Sequence, residues 1–371
     1  MSHTIVDGWL PNKHQKLLLD AALIPNQSIE KWEEWLKEKN LEDIDEASYR
    51  LLPLIWHRLH HLKYQHPLMS RLKGVYLHTW AKNKRLFYHG EGIIKKLQDK
   101  NIPVLLIKGP ALLLTYQDFA LRPMNDFDLM VKRDQFELAI QVLQENGWSN
   151  GKQKNLSATS FKLYHAVNFT NEEKIAIDLH QALVTELVGE KEDASFWQLS
   201  KKVQLRGSIE PYLLSDEDLF FQTCIHGLRW NPVTSLRWVL DACTILNSKK
   251  KFDWERVLKL CESYRLKIPV WKALFYLKEN YIKDLDTTII QQFSSTTEEE
   301  EREYRFYQNP RGLEGKWGVI WTHALKRRRF KKGFFSLAKE IVNVFLKSRN
   351  IQNSKEFISF IRKKFFVILR S

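Results

Sequence analysis

Up to about residue 100 the apolar positions recur every three or four places, with polar residues filling the gaps. This spacing predicts helices over His14–Ile24, Ser28–Asn40 and Ser70–Lys100. Ser28, with Glu30, Lys31 and Trp32 after it, reads as a capped helix start. The period then shortens. Ile102–Lys108 is a short apolar strand stopped by Gly109-Pro110, and Pro110 suits the first turn of a helix that continues through Ala111–Phe119. Asp126–Val131 reads as a second strand and Arg133–Asn146 as an amphipathic helix ended by Gly147. Phe161–Thr170 and Lys174–His180 read as two strands joined by the turn Asn171-Glu172-Glu173. Helices return at Ser215, which caps Asp216–Trp230, and continue through Ser235–Ser248 and Asp253–Leu266. The polar run Ser294–Glu303 is either a surface loop or the start of a solvated helix. The class is therefore α+β, a small mixed β-sheet core flanked by helical N- and C-terminal regions. The expected divisions are 1–85, 86–205, 206–325 and a tail, 326–371.

Charge separates the tail from the body. The 371 residues hold 58 Lys and Arg against 44 Asp and Glu, a net +14. Residues 326–371 carry fourteen basic side chains against Glu340 and Glu356, a net +12, so the body is close to neutral. Because Phe, Ile and Leu alternate with these bases at roughly helical spacing, three readings of the tail stand in order. It is a helix packed on the body, a face for an anionic membrane surface, or a face that tracks RNA phosphates. Three cysteines, Cys224, Cys243 and Cys261, are too few for a disulfide framework and point to a reducing compartment. The opening residues lack a signal-peptide pattern, and no apolar run approaches the roughly 18 residues of a membrane span. The expected location is cytoplasmic, with the tail as a route to the membrane periphery.

The candidate chemistry lies in the middle of the chain. Asp126 and Asp128, two apart on a strand, project from one face, and carboxylates that close repel unless a cation joins them. Asp178 interrupts the apolar Lys174–His180 run, where a lone buried acid needs a partner. Three such carboxylates suit hard divalent ions, Mg²⁺ or Mn²⁺, in a two-metal clamp at a phosphorus centre. Lys108-Gly109 precedes a helix N-terminus, where free N–H groups favour phosphate. Plainer readings stand beside these. Asp126 and Asp128 would be a solvated strand end, Asp178 a salt-bridge partner for a Lys, and Lys108 a surface residue. Arg122 would pair with Asp118, Arg237 with Asp241 as an intrahelical i, i+4 ion pair, and His226 would be a core histidine. Zinc at His226, Cys224 and Cys243 has little support from spacing, and the Trp-rich helices read as core.

The run Lys108–Val131 resembles the core motif of the polymerase-beta-like nucleotidyltransferase superfamily, and in particular its uncharacterised, stand-alone nucleotidyltransferase family. The elements that carry the resemblance are Lys108-Gly109, Ala111-Leu112, Arg122, Asp126-Phe127-Asp128-Leu129 and Asp178-Leu179-His180. His165 and Leu236–Asp241 resemble further family features, and the likeness covers roughly residues 85 to 265. It implies a nucleotidyltransferase core over 86–205 that uses Mg²⁺ or Mn²⁺ and a nucleoside triphosphate such as ATP. It also implies that Asp126, Asp128 and Asp178 hold metal and catalyse, with Lys108, Gly109, Arg122 and His180 binding nucleotide. The acceptor would be a hydroxyl or phosphate on a small molecule, peptide or protein. Pro110 departs from the Gly-Ser or Gly-Gly of many superfamily members and removes one N–H and a hydroxyl from the phosphate cradle. Two alternatives follow: an idle nucleotide-binding or protein-interaction module, and an RNA-directed transferase that uses the tail.

Overall fold

The computed structural model describes residues 9–151, 164–187, 194–229, 235–248 and 251–308. The tail and its three readings lie outside the described residues. The chain opens with helices α1 (Lys13–Leu23), α2 (Ser28–Glu38), α3 (Glu46–Tyr49), α4 (Leu52–His61) and α5 (Met69–Gln98). A capping box starts α1: Asn12 accepts from the Gln15 N–H while the Gln15 side chain accepts from the Asn12 N–H. Ser28 is no cap. It is the first residue of α2, fully buried, and its hydroxyl donates back to the Ile24 carbonyl at 3.2 Å. The short turn of 3₁₀ helix at Pro25–Gln27 has already set the backbone direction there.

Six strands make one mixed sheet: β1 (Leu105–Leu106), β2 (Phe127–Met130), β3 (Ala166–Thr170), β4 (Ala176–His180), β5 (Lys201–Lys202) and β6 (Tyr212–Leu213), in the order β3-β4-β2-β1-β6-β5. The hairpin β3–β4 and the pair β1–β2 are antiparallel, whereas β2 runs parallel to β4 with Asp128 opposite Asp178. The first strand is shorter than its apolar run, because the chain turns into helix α6 (Lys108–Tyr116) with Lys108 at φ +44°. Pro110 does fall in the first turn of α6. Asp126 lies just before β2 instead of inside it. Helix α7 (Phe136–Glu145) follows, and Gly147 supplies the left-handed turn after it at φ +81°.

The remaining helices are α8 (Ala194–Gln198), α9 (Asp216–Gly227), α10 (Arg237–Ser248), α11 (Trp254–Tyr264), α12 (Lys267–Asn280), α13 (Thr287–Ser294) and α14 (Glu298–Gln308). Ser215 caps α9, accepting from the Asp218 N–H at 3.1 Å. The polar run at 294–303 includes the start of α14, where Thr297 Oγ1 accepts from the Glu300 N–H and the Glu300 carboxylate accepts from the Thr297 N–H.

One apolar core runs through all of this, from Trp32 and Ile55 through Phe127 and Phe169 to Phe220 and Phe293. Trp9, Trp32, Trp35, Trp56, Trp148 and Trp238 belong to it, as do the free thiols Cys224, Cys243 and Cys261. Helix α5 spans 30 residues and joins the N-terminal helices to the sheet. Its Gly90 lies against Phe127, whose ring would be 2.6 Å from a Cβ there, and this close approach brings α5 down over β2. Gly227 does the same between α9 and α10, where a Cβ would lie 2.2 Å from that of Trp238. No described helix is long and apolar enough to cross a membrane.

Candidate active site

Two parallel strands and one helix start bring the candidate residues together. Strand β2 carries Asp128, β4 carries Asp178 and His180, and Lys108 opens α6. Lys108 Nζ lies 2.8 Å from Asp128 Oδ1 and 3.3 Å from His180 Nε2, and His180 Nε2 is 3.1 Å from the same carboxylate oxygen. Ligand atoms of Asp128, Asp178 and His180 all lie within 4.8 Å of one another. Asp178 Oδ1 accepts from the Asn168 amide on β3 at 2.7 Å, which orients it toward the group. Asp126 is not among those three; it sits just before β2 and lines, together with Asp128, a cleft shared with Lys108, Arg122, His226, Arg237 and Asp241.

The protonation states follow from burial and neighbours. Burial works against the charge on Asp128, but the Lys108 ammonium and the His180 contact overcome it and hold this carboxyl far below the usual range. Burial also opposes the charge on Lys108, yet Asp128 keeps its pKa above the ordinary value. His180 is pushed down by burial and then by Lys108, so it is neutral. Its Nδ1 has no hydrogen-bond partner among the described residues. Asp126 is raised to about 6 by burial, then by Asp128 and Asp178. A carboxyl raised on folding stabilises the fold fully below its unfolded value of about 4, and this is lost as pH rises through about 6. In metal-free buffer Asp126→Asn is therefore expected to gain about 1–3 kcal/mol over wild type at pH 7. The gain should vanish at pH 4, as read by urea unfolding at the two pH values; a gain equal at both would refute the assignment.

The chain's own residues fit a hard divalent ion. Two carboxylates and an imidazole converge, and one imidazole among oxygens suits Mn²⁺ at least as well as Mg²⁺. In this structure Lys108 supplies the compensating positive charge at Asp128. Lys108 also sits in left-handed backbone, which is uncommon for a side chain of this size, and its N–H donates to Gln222 of α9 at 3.0 Å. At Gly109 a Cβ would meet Met124 Sδ at 3.1 Å and Arg122 Nη1 at 3.4 Å, so the bare backbone there admits the loop before β2.

Helix α5 holds that loop in place. Buried Asn83 of α5 donates to the carbonyls of Phe119 and Arg122, at 2.6 and 2.8 Å, and accepts from the Met124 N–H. The Tyr76 hydroxyl donates to Asp118 at 2.7 Å and Lys82 to Asn125 at 2.6 Å. Three sequence expectations are corrected here. Arg122 does not pair with Asp118; its Nε and Nη2 donate to the two oxygens of Asp241, at 2.8 and 3.0 Å. Arg237 and Asp241 are not an intrahelical pair, since Arg237 donates to the Pro123 carbonyl while Asp241 is taken by Arg122 and the Tyr116 hydroxyl. His226 is not in the core but exposed on the cleft wall, beside Gln222 and Thr223 near the end of α9. Cys224 and Cys243 are core thiols whose pKa values burial drives up, that of Cys243 to about 12, and among the described residues neither belongs to a cluster of metal-ligating side chains. Reading the sequence also missed Asn83 and Gln222. A lone Asn inside an apolar helical stripe was the available signal for the first.

No curated protein matches the sequence. Among solved structures, the antibiotic-resistance factor ANT(2'')-Ia is similar at 12% identity, covering 52% of this chain and 97% of that one with a TM-score of 0.34. An antigenic nucleotidyltransferase-like protein from Paracoccidioides brasiliensis is similar at 14% identity, covering 54% and 90%, also with a TM-score of 0.34. Residues 47–281, which hold the sheet, the Asp128–Asp178 pair and the cleft, match the model of the uncharacterised nucleotidyltransferases, and the chain belongs to that family of enzymes.

Proposed function

We propose that the protein transfers a nucleotidyl group from a nucleoside triphosphate to a hydroxyl or phosphate on a small-molecule, peptide or protein acceptor. In this reading Mg²⁺ or Mn²⁺ is held by Asp126, Asp128 and Asp178. The observation that carries it is the in-register pairing of Asp128 with Asp178 across parallel β2 and β4, at the edge of a cleft lined by Asp126. A bound divalent ion would supply charge neutralisation at the phosphoryl oxygens. Asp178, half-buried and held by Asn168, would take the proton of an acceptor hydroxyl. Lys108 and the start of α6 at Gly109 would meet phosphate, and neutral His180 would hold Asp128 in position. Arg122, proposed from sequence as a nucleotide contact, contributes by fixing the loop that presents Asp126. The intact set of Asp126, Asp128 and Asp178 weighs against an idle module.

Calorimetric titration with each nucleoside triphosphate, ATP first, in Mg²⁺ or Mn²⁺ tests the reading. Wild type should bind markedly more tightly with metal than without it, and the Asp126→Ala plus Asp128→Ala variant should lose that metal-dependent gain. Failure of every nucleotide with either metal would defeat the proposal.

A further inference from the structure

Pairing the charges around the cleft leaves two of them over. Lys108 is matched by Asp128 at 2.8 Å, and Arg122 by Asp241 at 2.8 Å. The remaining cleft charges are Asp126 and Arg237. Asp126 has no basic side chain within ion-pair distance among the described residues, and Arg237 no acidic one. The guanidinium of Arg237 makes one hydrogen bond there, through Nη1 to the Pro123 carbonyl. Charges of both signs surround it, Arg122 and Arg50 on one side of the balance and Asp241 and Asp126 on the other. Burial, then Arg122 and Arg50, pull its pKa down to about 10, and Lys82 feels both Arg50 and Arg237. The other N–H groups of Arg237 are not sealed from solvent, so they are open to an anion that enters the cleft.

We infer that Arg237 is the principal oxyanion-binding residue of the cleft and takes a phosphate group of the bound ligand beside Asp126. The inference rests on the nucleotidyl-transfer reading only for the source of that phosphate. Arg237 opens α10, is tied to the loop before β2 by the Pro123 carbonyl, and faces the same cleft as Asp126. A ligand that carries both a divalent cation and a phosphate would satisfy both leftover charges at once, the cation at Asp126 and the phosphate at Arg237. Arg122 cannot take this part while Asp241 holds its fork. The guanidinium geometry favours two parallel N–H···O bonds to phosphate, which a lysine in the same place cannot form.

The test uses inorganic tripolyphosphate in EDTA-containing buffer, titrated by calorimetry into the full chain and into Arg237→Gln and Arg237→Lys, with melting curves for each. Wild type should bind. Arg237→Gln should bind about ten- to a hundredfold more weakly, and Arg237→Lys should fall between them with its melting unchanged. Should Arg237→Gln fail to fold, Arg237→Lys decides alone. Affinity equal to wild type in a folded variant, or no wild-type binding of tripolyphosphate, overturns the inference. Repeating the titration with the nucleotide site saturated by a non-hydrolysable triphosphate locates the source. Competition assigns Arg237 to the nucleotide tail, and undiminished, Arg237-dependent binding assigns it to a phosphorylated acceptor. Arg237-dependent tripolyphosphate binding in a protein that binds no nucleotide would keep the anion site and remove the nucleotidyl reading. Metal-dependent nucleotide binding indifferent to both Arg237 variants would do the reverse.

Discussion

Asp128→Asn is expected to weaken Mn²⁺-dependent nucleotide binding by at least about 100-fold while the protein remains folded. Asp128 stands in three relations at once: it faces Asp178 across β2 and β4, it pairs with Lys108, and it meets His180. Asparagine keeps the shape and the contact with His180 but not the charge. A cation at this position would lose a carboxylate oxygen, and the Lys108 ammonium would lose its counter-charge. Lys108 is 20% exposed at the cleft edge and can turn to water, so the stability loss should be about 1–3 kcal/mol. The sign of its pH dependence is set by the depressed pKa of Asp128. The paired carboxylate stabilises the fold above its unfolded value of about 4, and that advantage fades as acid protonates it. Denaturant unfolding at pH 7 and pH 3 should therefore show a smaller gap between wild type and variant at the lower pH. Unchanged Mn²⁺ binding in Asp128→Asn would remove Asp128 from the metal site.

Asp241→Ala is expected to be the most destabilising single change near the cleft, at about 3–5 kcal/mol. Arg122 and Asp241 are both buried, 119 positions apart, and joined by two hydrogen bonds, with Tyr116 donating to the same carboxylate. Removing the acid leaves a buried guanidinium with no partner for its fork and a buried phenol with one bond fewer. The loop that presents Asp126 also loses one of its two ties to α10, keeping only the Arg237 bond to the Pro123 carbonyl, so metal-dependent binding should fall together with stability. Removing both charges in Arg122→Met plus Asp241→Leu should recover most of the loss, because the cost lies in the orphaned charge and not in the absence of the pair. A double-mutant cycle by urea unfolding measures this directly. A loss under about 1 kcal/mol in Asp241→Ala would show that the pair is not what holds the loop.

Several features were legible in advance because their physics is local. Helical spacing located α1, α2 and α5, and Gly147 marks the end of the α7 region. The Asn171-Glu172-Glu173 turn announced the β3–β4 hairpin, and Ser215 the start of α9. Other expectations failed where a short-range rule met a longer-range competitor. Ser28 had the composition of a cap, but the preceding 3₁₀ turn had already set the direction of the chain. Arg237 and Asp241 had the spacing of an ion pair, but Arg122 reaches Asp241 from another part of the chain with a two-pronged geometry that an i, i+4 contact cannot match. His226 sat in an apolar run, but the helix turned that position toward the cleft.

The sequence by itself determined the α+β class, the strand–helix–strand order around Lys108 and Asp128, and the family, since each depends on residue type and spacing along a short stretch. Only the tertiary structure decided which charges meet. Strand β6, from beyond residue 205, closes on β1; α9 and α10 then wall the cleft; and Asn83 folds the loop before β2. Ion pairing depends on distances of a few ångströms between segments more than a hundred residues apart, and residue spacing carries no record of those distances. For that reason the roles of Arg122 and Arg237 became readable only when the chain was seen folded, with one guanidinium spent on Asp241 and the other still facing the cleft.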